Sequence, residues 1–275
     1  KMKNCLINGG TSGLGIELVK VFLTNNYFVH IIGKNRKKFD IFTQNIDVEL
    51  KKKVLFYEID LSEIQNIKNS FDKIKIININ VLINNAGIIN LNKTLNSMNL
   101  EETFVVNYLS HYYLTNKLIE SSSIVKKGVI VNISSFTHIF SNMDFKNIDL
   151  KKNYNGWFAY FNTKLMNILF TYKCNNIFKE IKSIVINPGW MNTNFGNNNK
   201  SKLRNFISFL RNMFSKDPKG VAQKIYAIID YDNISKNDCY YIVNKKTKSS
   251  AFSHKQEVQN ILWKKSEELL RNEKF

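Results

Sequence analysis

Proline is almost missing from this chain of 275 residues: Pro188 and Pro218 are the only two, so long stretches can run as uninterrupted strands and helices. Cysteine is scarce as well. Cys5, Cys174 and Cys239 are widely separated, with no C-x-x-C pair and no accompanying histidine cluster, which argues against a disulfide framework and against a metal site. A reducing compartment, cytoplasm or an organelle, is the expectation. No run of about 18 apolar residues occurs, so no transmembrane helix is expected within the chain. Acidic residues are few: 22 Asp and Glu stand against 40 Lys and Arg, a formal net charge of +18. Such an excess suits a polyanionic partner, an anionic membrane surface or a phosphorylated cofactor. It is spread without pattern over lysine- and asparagine-rich loops, and no basic stripe interleaved with aromatics stands out, so nucleic acid is not an expected partner. The chain opens at Lys1, a few residues before its first apolar run, and the expectation is that a targeting or anchoring segment preceded it.

What is present is hydrophobic and periodic. Hydrophobic residues make up 44% of the chain, enough for one large core, and no linker or internal repeat divides it, so a single domain over 1–275 is expected. Short apolar runs rich in Ile and Val at 4–8, 27–33, 53–60, 79–85, 128–135 and 181–187 read as buried strands. Between them, 13–25, 36–50, 62–75, 98–119 and 157–178 read as helices. Strand and helix in series predict an α/β fold, a doubly wound parallel sheet of Rossmann type with helices on both faces. Farther on, 194–216 is a polar loop followed by an apolar stripe at Leu203, Phe206, Ile207, Leu210, Met213 and Phe214, flanked by Lys200, Lys202, Arg204, Arg211 and Lys216. A helix at 218–230, a short strand at 239–243 and a helix near 254–272 complete the chain.

Doubly wound sheets bind ligands beyond the carboxyl ends of their strands, so the residues after each apolar run carry the functional information. After the first comes NGGTSGLGIE, where Gly9, Gly13 and Gly15 open a helix; glycines there permit a tight turn and close approach of backbone to a pyrophosphate, which the helix N-terminus attracts. Three Tyr-x-x-x-Lys pairs occur, in YLTNK (Tyr113, Lys117), YFNTK (Tyr160, Lys164) and YIVNK (Tyr241, Lys245). On a helix that spacing puts phenol and ammonium on one face, but spacing alone does not choose among the three.

The glycine turn, with Asn8 standing where a threonine is usual, resembles the T-G-x-x-x-G-x-G turn of the short-chain dehydrogenase/reductase family. The resemblance runs to about residue 193 and is similar to the retinol dehydrogenase-like members, whose insertion matches the 25 positions between Ser135 and Tyr160. It implies an NADP(H)-dependent oxidoreductase acting on a small-molecule carbonyl or alcohol. Gly9, Thr11, Ser12, Gly13, Leu14 and Gly15 would receive the pyrophosphate. The second strand ends in IIGKNRKK, without the acid that would hold a ribose 2′-hydroxyl; Lys34 and Arg36 favour a 2′-phosphate, so NADP(H) is expected ahead of NAD(H). Asp60 would meet the adenine amino group, or cap the next helix with Ser62. Asn85, Ala86 and Gly87 of NNAG would lie against the adenine ribose, and Pro188, Gly189 and Thr193 of NPGWMNT at the nicotinamide carboxamide, with Tyr160 and Lys164 also touching the cofactor.

By the same resemblance the catalytic set is Asn107, Ser135, Tyr160 and Lys164, with Ser134 as alternative to Ser135. Tyr160 would exchange a proton with the substrate oxygen and Lys164 would favour phenolate and orient the ribose. Ser135 would polarise the carbonyl, and Asn107 would hold a water in a proton relay. The apolar stripe would form a lid over a lipophilic substrate, pack on the domain, or lie on a membrane surface. Homodimers would pair through the helices preceding and carrying the Tyr-Lys pair. The competing classes are a non-catalytic NADP(H)-binding sensor or scaffold of the same fold, and a basic adaptor on membranes or nucleic acid.

Overall fold

Strands rich in Ile and Val and buried on both faces form the centre of one eight-stranded sheet, whose edges are more exposed. In this computed structural model residues 2–75, 78–150, 152–189, 217–230, 234–236 and 239–271 are described. The strands are β1 (Lys3–Asn8), β2 (Tyr27–Gly33), β3 (Val54–Glu58), β4 (Ile79–Asn84), β5 (Ile124–Ile133), β6 (Lys182–Asn187), β7 (Tyr240–Ile242) and β8 (Lys245–Thr247), arranged in the order β3-β2-β1-β4-β5-β6-β7-β8. All neighbours pair in parallel except the final β7–β8 hairpin. The chain reverses direction across the sheet between β1 and β4, and the crevice at the carboxyl ends of those two strands is where such folds take ligands.

Helix α1 (Gly13–Thr24), α2 (Arg36–Gln44), α3 (Val48–Lys51), α4 (Ile64–Ile74), α5 (Glu102–Phe104), α6 (Ser110–Glu120), α7 (Gly156–Ile177), α8 (Pro218–Asp230) and α9 (Gln256–Arg271) surround it. Because successive strand residues face opposite ways, the alternation splits the core in two. Ile7, Val29 and Ile31 pack with Leu18, Phe22 and Ile225 on one face. Leu6, Ile32, Leu82 and Ile130 pack with Ile64, Leu109, Leu165 and Leu169 on the other. Each such aliphatic side chain contributes roughly 1.5–3 kcal/mol on burial.

Local chemistry shifts several boundaries from the periodicity. The stretch 36–50 is two helices, because Asn45 caps the first through its backbone and Asp47 begins the second. The helix expected from 98 starts at Glu102, where Glu101 accepts from Thr103 N and Phe104 N. It then passes through a π turn, Val105–Leu109, before α6. β5 starts at Ile124, ahead of position 128, and its register against β4 shifts between Ile79 and Val81, which pair with Ile124 and Val129. β8 has too few residues to carry a period of its own and exists by pairing Lys245 with Ile242.

Candidate active site

The strand ends are polar where the strands are not. Asn8, Asn84 and Asn132 close β1, β4 and β5 side by side, fully buried. Asn8 Nδ2 donates to Asn84 Oδ1 (2.9 Å), Asn84 Nδ2 to Asn132 Oδ1 (2.8 Å), and Asn132 Nδ2 to Thr171 Oγ1 on α7 (2.9 Å). Asn8 Oδ1 in turn accepts from the backbone of Asn85 (2.8 Å) and Ala86 (2.7 Å). The asparagine that replaces the usual threonine therefore ties the glycine turn to NNAG with two acceptor bonds.

The glycine turn has room only for glycine. A Cβ on Gly15 would lie 2.1 Å from Gly9 O, and one on Gly9, at φ +69°, would lie 2.7 Å from Ala86 Cα. Asn85 Nδ2 donates to Gly9 O (3.1 Å), and Ser12 caps α1 from extended backbone without a side-chain bond. Gly13 has φ +55°, Leu14 is buried at the head of α1, and a Cβ on Gly33 would lie 3.5 Å from the Thr11 methyl. No acidic residue stands in the first turn of α1, so its N-terminus keeps its affinity for an anion. These features fit a dinucleotide pyrophosphate: a cradle that a Cβ would fill, at a helix N-terminus whose first N–H groups have no acceptor within the helix.

Lys34 and Arg36 follow β2. Lys34 Nζ lies 3.5 Å from Asp60 Oδ2, and the Arg36 guanidinium covers the Phe56 ring at 4.9 Å. Asp60 Oδ1 accepts from Ser62 N (3.0 Å) and Ser62 Oγ (2.8 Å). Burial opposes its ionisation, but the Ser62 hydrogen bonds and Lys34 outweigh it and hold the carboxyl below its usual range. Ser62 is thus Asp60's own partner, while the cap of α4 is Glu63, which makes no side-chain bond.

The π turn carries Asn107. Its Oδ1 accepts from Ile88 N (2.7 Å), and its Nδ2 donates to Ile88 O (2.9 Å) and Thr163 Oγ1 (3.2 Å). Both amide hydrogens are used, so the side chain clamps the chain after NNAG onto α7. Gly87 lies beneath: a Cβ there would meet Lys164 Nζ at 3.5 Å and Asn107 Oδ1 at 3.6 Å.

At the end of β5 the two serines separate. Ser134 is buried and its Oγ donates to Lys164 O (2.7 Å). Ser135 caps the short 3-10 turn Phe136–Phe140 and hydrogen-bonds the Tyr160 side chain. Helix α7, capped by Asn155 Oδ1 on Trp157 N and Phe158 N, brings Tyr160 and Lys164 to this point, with Lys164 Nζ 5.2 Å from the Tyr160 ring centre. Lys164 Nζ also donates to Ile133 O (3.3 Å).

Burial pushes the Tyr160 phenol well up, with the Ser135 hydrogen bond working against it, and pulls Lys164 down to about 8. Desolvation favours the uncharged form of each group, so by themselves the two residues do not make a phenolate. Tyr160 is half-buried, and the one effect that lowers its phenol against desolvation is the Ser135 hydrogen bond rather than the Lys164 charge.

The other pairs stand apart. Lys117 is half-exposed and bonded to Glu120 (2.8 Å), while Tyr241 and Lys245 belong to separate strands of the β7–β8 hairpin. Pro188 and Gly189 follow β6, with Gly189 N donating to Asn187 Oδ1 (2.9 Å). Thr193 and the stripe within 194–216 lie outside the described residues. Reading strand ends alone missed Thr163, Asn167 and Thr171, and His111 and Thr115 opposite them. The signal is polar residues at i, i+4 spacing on otherwise apolar helices: Asn107, His111 and Thr115 before and along α6, Thr163, Asn167 and Thr171 on α7.

With this geometry in place, comparison with known proteins gives a consistent answer. The family model described as short chain dehydrogenase matches residues 3–204. Human polyprenol dehydrogenase is 30% identical over 276 residues, covering 96% of this chain and 84% of that protein. Human retinol dehydrogenase 11 is 28% identical over 227 residues, covering 80% of this chain and 70% of that one. Among solved structures, ElxO with NADP bound has a TM-score of 0.65 at 23% identity, covering 88% of this chain and 97% of its own. A 3-ketoacyl-(acyl-carrier-protein) reductase from Brucella melitensis complexed with NADH has a TM-score of 0.64 at 20% identity, covering 88% and 96%. The chain belongs to the short-chain dehydrogenase/reductase family of oxidoreductases. The fold hosts either nicotinamide cofactor in those neighbours, so it does not by itself choose between them.

Proposed function

We propose that this chain is an NADP(H)-dependent oxidoreductase exchanging a hydride with a lipophilic carbonyl or alcohol. The carrying observation is the convergence of Ser135, Tyr160 and Lys164 beyond the carboxyl end of β5, beside the glycine turn. When bound, the cofactor supplies the hydride and, oxidised, a positive nicotinamide. Gly9, Thr11, Ser12, Gly13, Leu14 and Gly15 would hold its pyrophosphate; Lys34 and Arg36 would hold a 2′-phosphate; Asp60, Asn85, Ala86 and Gly87 would hold the adenosine side. Pro188, Gly189 and Thr193 would meet the carboxamide.

Within the chain, the Tyr160 phenol stays protonated and so is the acid for reduction, giving its proton to the oxygen that becomes the alcohol. Ser135, already bonded to that phenol, orients it and donates to the same oxygen. Lys164 holds charge close to the phenol and donates toward the ribose. Asn107 contributes by fixing the Ile88 backbone and Thr163, which positions both Gly87 and Lys164.

The lipophilic assignment is supported by aromatic side chains around Tyr160. Phe161 packs at 6.4 Å from Tyr160 and contacts Phe140 (5.9 Å), Trp157 (6.1 Å) and Phe158 (6.1 Å), and Phe140 and Phe158 are exposed beside the site. The printed names of the two human relatives, polyprenol and retinol dehydrogenase, point to the same chemical class. The stripe at 203–214 is assigned as a lid on sequence pattern alone.

The test is a screen of aldehydes, ketones and alcohols followed by NADPH absorbance, with NADH in parallel. Turnover of long apolar substrates with NADPH, abolished in Tyr160→Phe while NADPH still binds, is the expected result. Binding of NADPH without turnover of any substrate would favour the sensor or scaffold reading.

A further inference from the structure

One imidazole ties the turn after β5 to the C-terminal part of the chain. His138 is buried in the 3-10 turn Phe136–Phe140, with Nδ1 2.8 Å from Ser135 O and Nε2 3.4 Å from Ser250 N. A carbonyl oxygen accepts and a backbone N–H donates, so a single tautomer serves both contacts: hydrogen on Nδ1 and a bare Nε2. Burial, against the Ser135 hydrogen bond, holds His138 below its usual pKa and so uncharged at neutral pH, as the Ser250 contact requires.

The bond falls on the residue whose hydroxyl reaches the phenol. Ser135 O accepts from His138 N at 3.3 Å and from His138 Nδ1 at 2.8 Å, so His138 supplies both bonds to that carbonyl, and the side chain makes the shorter one. On the other side of the same residue, Ser135 Oγ accepts from Thr137 N (3.3 Å) and bonds Tyr160. The imidazole is itself braced. Its ring stands edge-on to the buried Tyr240 of β7, with centroids 5.5 Å apart, and Tyr240 OH accepts from Asn187 Nδ2 at 3.4 Å. Asn187 Oδ1 in turn accepts from Gly189 N (2.9 Å), which links the serine turn to the Pro-Gly turn after β6. Ser250 lies in a strap that Ser249 Oγ fastens to Tyr172 OH on α7 (2.9 Å) and to Ser253 Oγ (2.7 Å).

We propose that His138 is a positioning residue for Ser135. Its Nδ1–H fixes the Ser135 carbonyl, and with it the backbone from which the hydroxyl reaches Tyr160 and the substrate oxygen, while Tyr240 and the strap at 249–254 hold the ring. An imidazole that only filled space in the core would need neither nitrogen. The effect on turnover rests on the oxidoreductase reading; the geometry of Ser135 does not.

His138→Asn and His138→Gln, made in the full chain, separate the two nitrogens. The amide of asparagine falls where Nδ1 does and can donate to Ser135 O; the amide of glutamine falls where Nε2 does and can accept from Ser250 N. With NADPH and the apolar carbonyl substrate that turns over fastest, His138→Gln should lose about tenfold or more in kcat, since a group misplaced by about 1 Å can cost about 100-fold. His138→Asn should keep most of kcat, and both should keep the wild-type KM and NADPH affinity. Equal kcat in the two variants, or a loss confined to KM, overturns the proposal, because a space-filling role does not distinguish the nitrogens. A wild type without turnover defeats the functional reading instead. Crystal structures of the two variants then decide the positioning role: the Ser135–Tyr160 hydrogen bond should be broken in His138→Gln and kept in His138→Asn, and its survival in both overturns the role.

Discussion

Asn8 accepts the backbone N–H of Ala86 at 2.7 Å, and that one side chain holds the glycine turn of β1 against the loop after β4. It also accepts from Asn85 N and donates to Asn84 Oδ1, so Asn8→Ala strands two half-buried donors and a buried acceptor. Each stranded group costs about 1–3 kcal/mol. Asn8→Ala should lose on the order of 3 kcal/mol in urea unfolding, whereas Asn8→Thr, with an acceptor for the N–H groups, should lose less than half of that. Equal losses would show that the hydroxyl of the usual threonine cannot serve here.

Gly15→Ala tests the cradle. The new Cβ would overlap Gly9 O, which is backbone and has nowhere to go. Dinucleotide affinity should fall by at least about tenfold, the equivalent of 1.4 kcal/mol, with little change in far-ultraviolet dichroism. Titration of NADPH fluorescence measures it.

Lys34 and Arg36 place charge after β2 where the sequence has no ribose-binding acid, each within ion-pair distance of one carboxylate, Asp60 at 3.5 Å and Glu58 at 3.8 Å. The double variant Lys34→Ala, Arg36→Ala should weaken NADPH by roughly 1.5–3 kcal/mol per lost charged hydrogen bond, and leave NADH nearly unchanged. Equal weakening of the two cofactors would count against the 2′-phosphate assignment.

Acid should destabilise the protein through two neutral histidines. Burial lowers His30 to about 4, and burial followed by the Lys164 charge lowers His111 to about 3. A folded pKa below the unfolded value of about 6.5 means that the unfolded chain takes up the proton first. Their contribution is therefore intact above pH of about 6.5 and falls as pH drops toward 4, by about 1.4 kcal/mol per pH unit for each group. His30→Gln should remove one such slope, visible as a flatter dependence of the urea midpoint on pH.

Helix α9 predicts a monomer. Trp263 stands edge-on to Tyr112 at 4.9 Å and stacks on Phe170 at 6.0 Å, Ser266 Oγ bonds Tyr108 OH at 2.8 Å, and Lys173 reaches Asn260 at 2.7 Å. The chain's own helix thus covers part of α6 and α7, the helices through which the family resemblance expects pairing. Light scattering should give a monomer mass. Truncation before Gln256 should produce self-association through the uncovered aromatic face, and Trp263→Ala should cost on the order of 2 kcal/mol.

Much of this was legible in the residues because it depends on short-range pattern. The parallel sheet follows from apolar runs that need cover on both faces, and the glycine turn from backbone that no Cβ can share. The address of Tyr160, downstream of the serine-bearing strand and at the start of a helix, separated it from Tyr113 and Tyr241. Other features depend on which distant groups meet. Ser134 and Ser135 are adjacent and chemically identical, and only the course of the backbone beyond β5, with Ser135 capping the following 3-10 turn, sends one to the Lys164 carbonyl and the other to the phenol. The acidity of Lys164 and Tyr160 is likewise a product of burial, which spacing along the chain does not encode. Asn8, Asn84 and Asn132 lie 76 and 48 positions apart and become one hydrogen-bonded row when the strands align. Local periodicity specified the strands and helices; long-range packing, by choosing what each polar group loses from water and gains from protein, specified the chemistry at their ends.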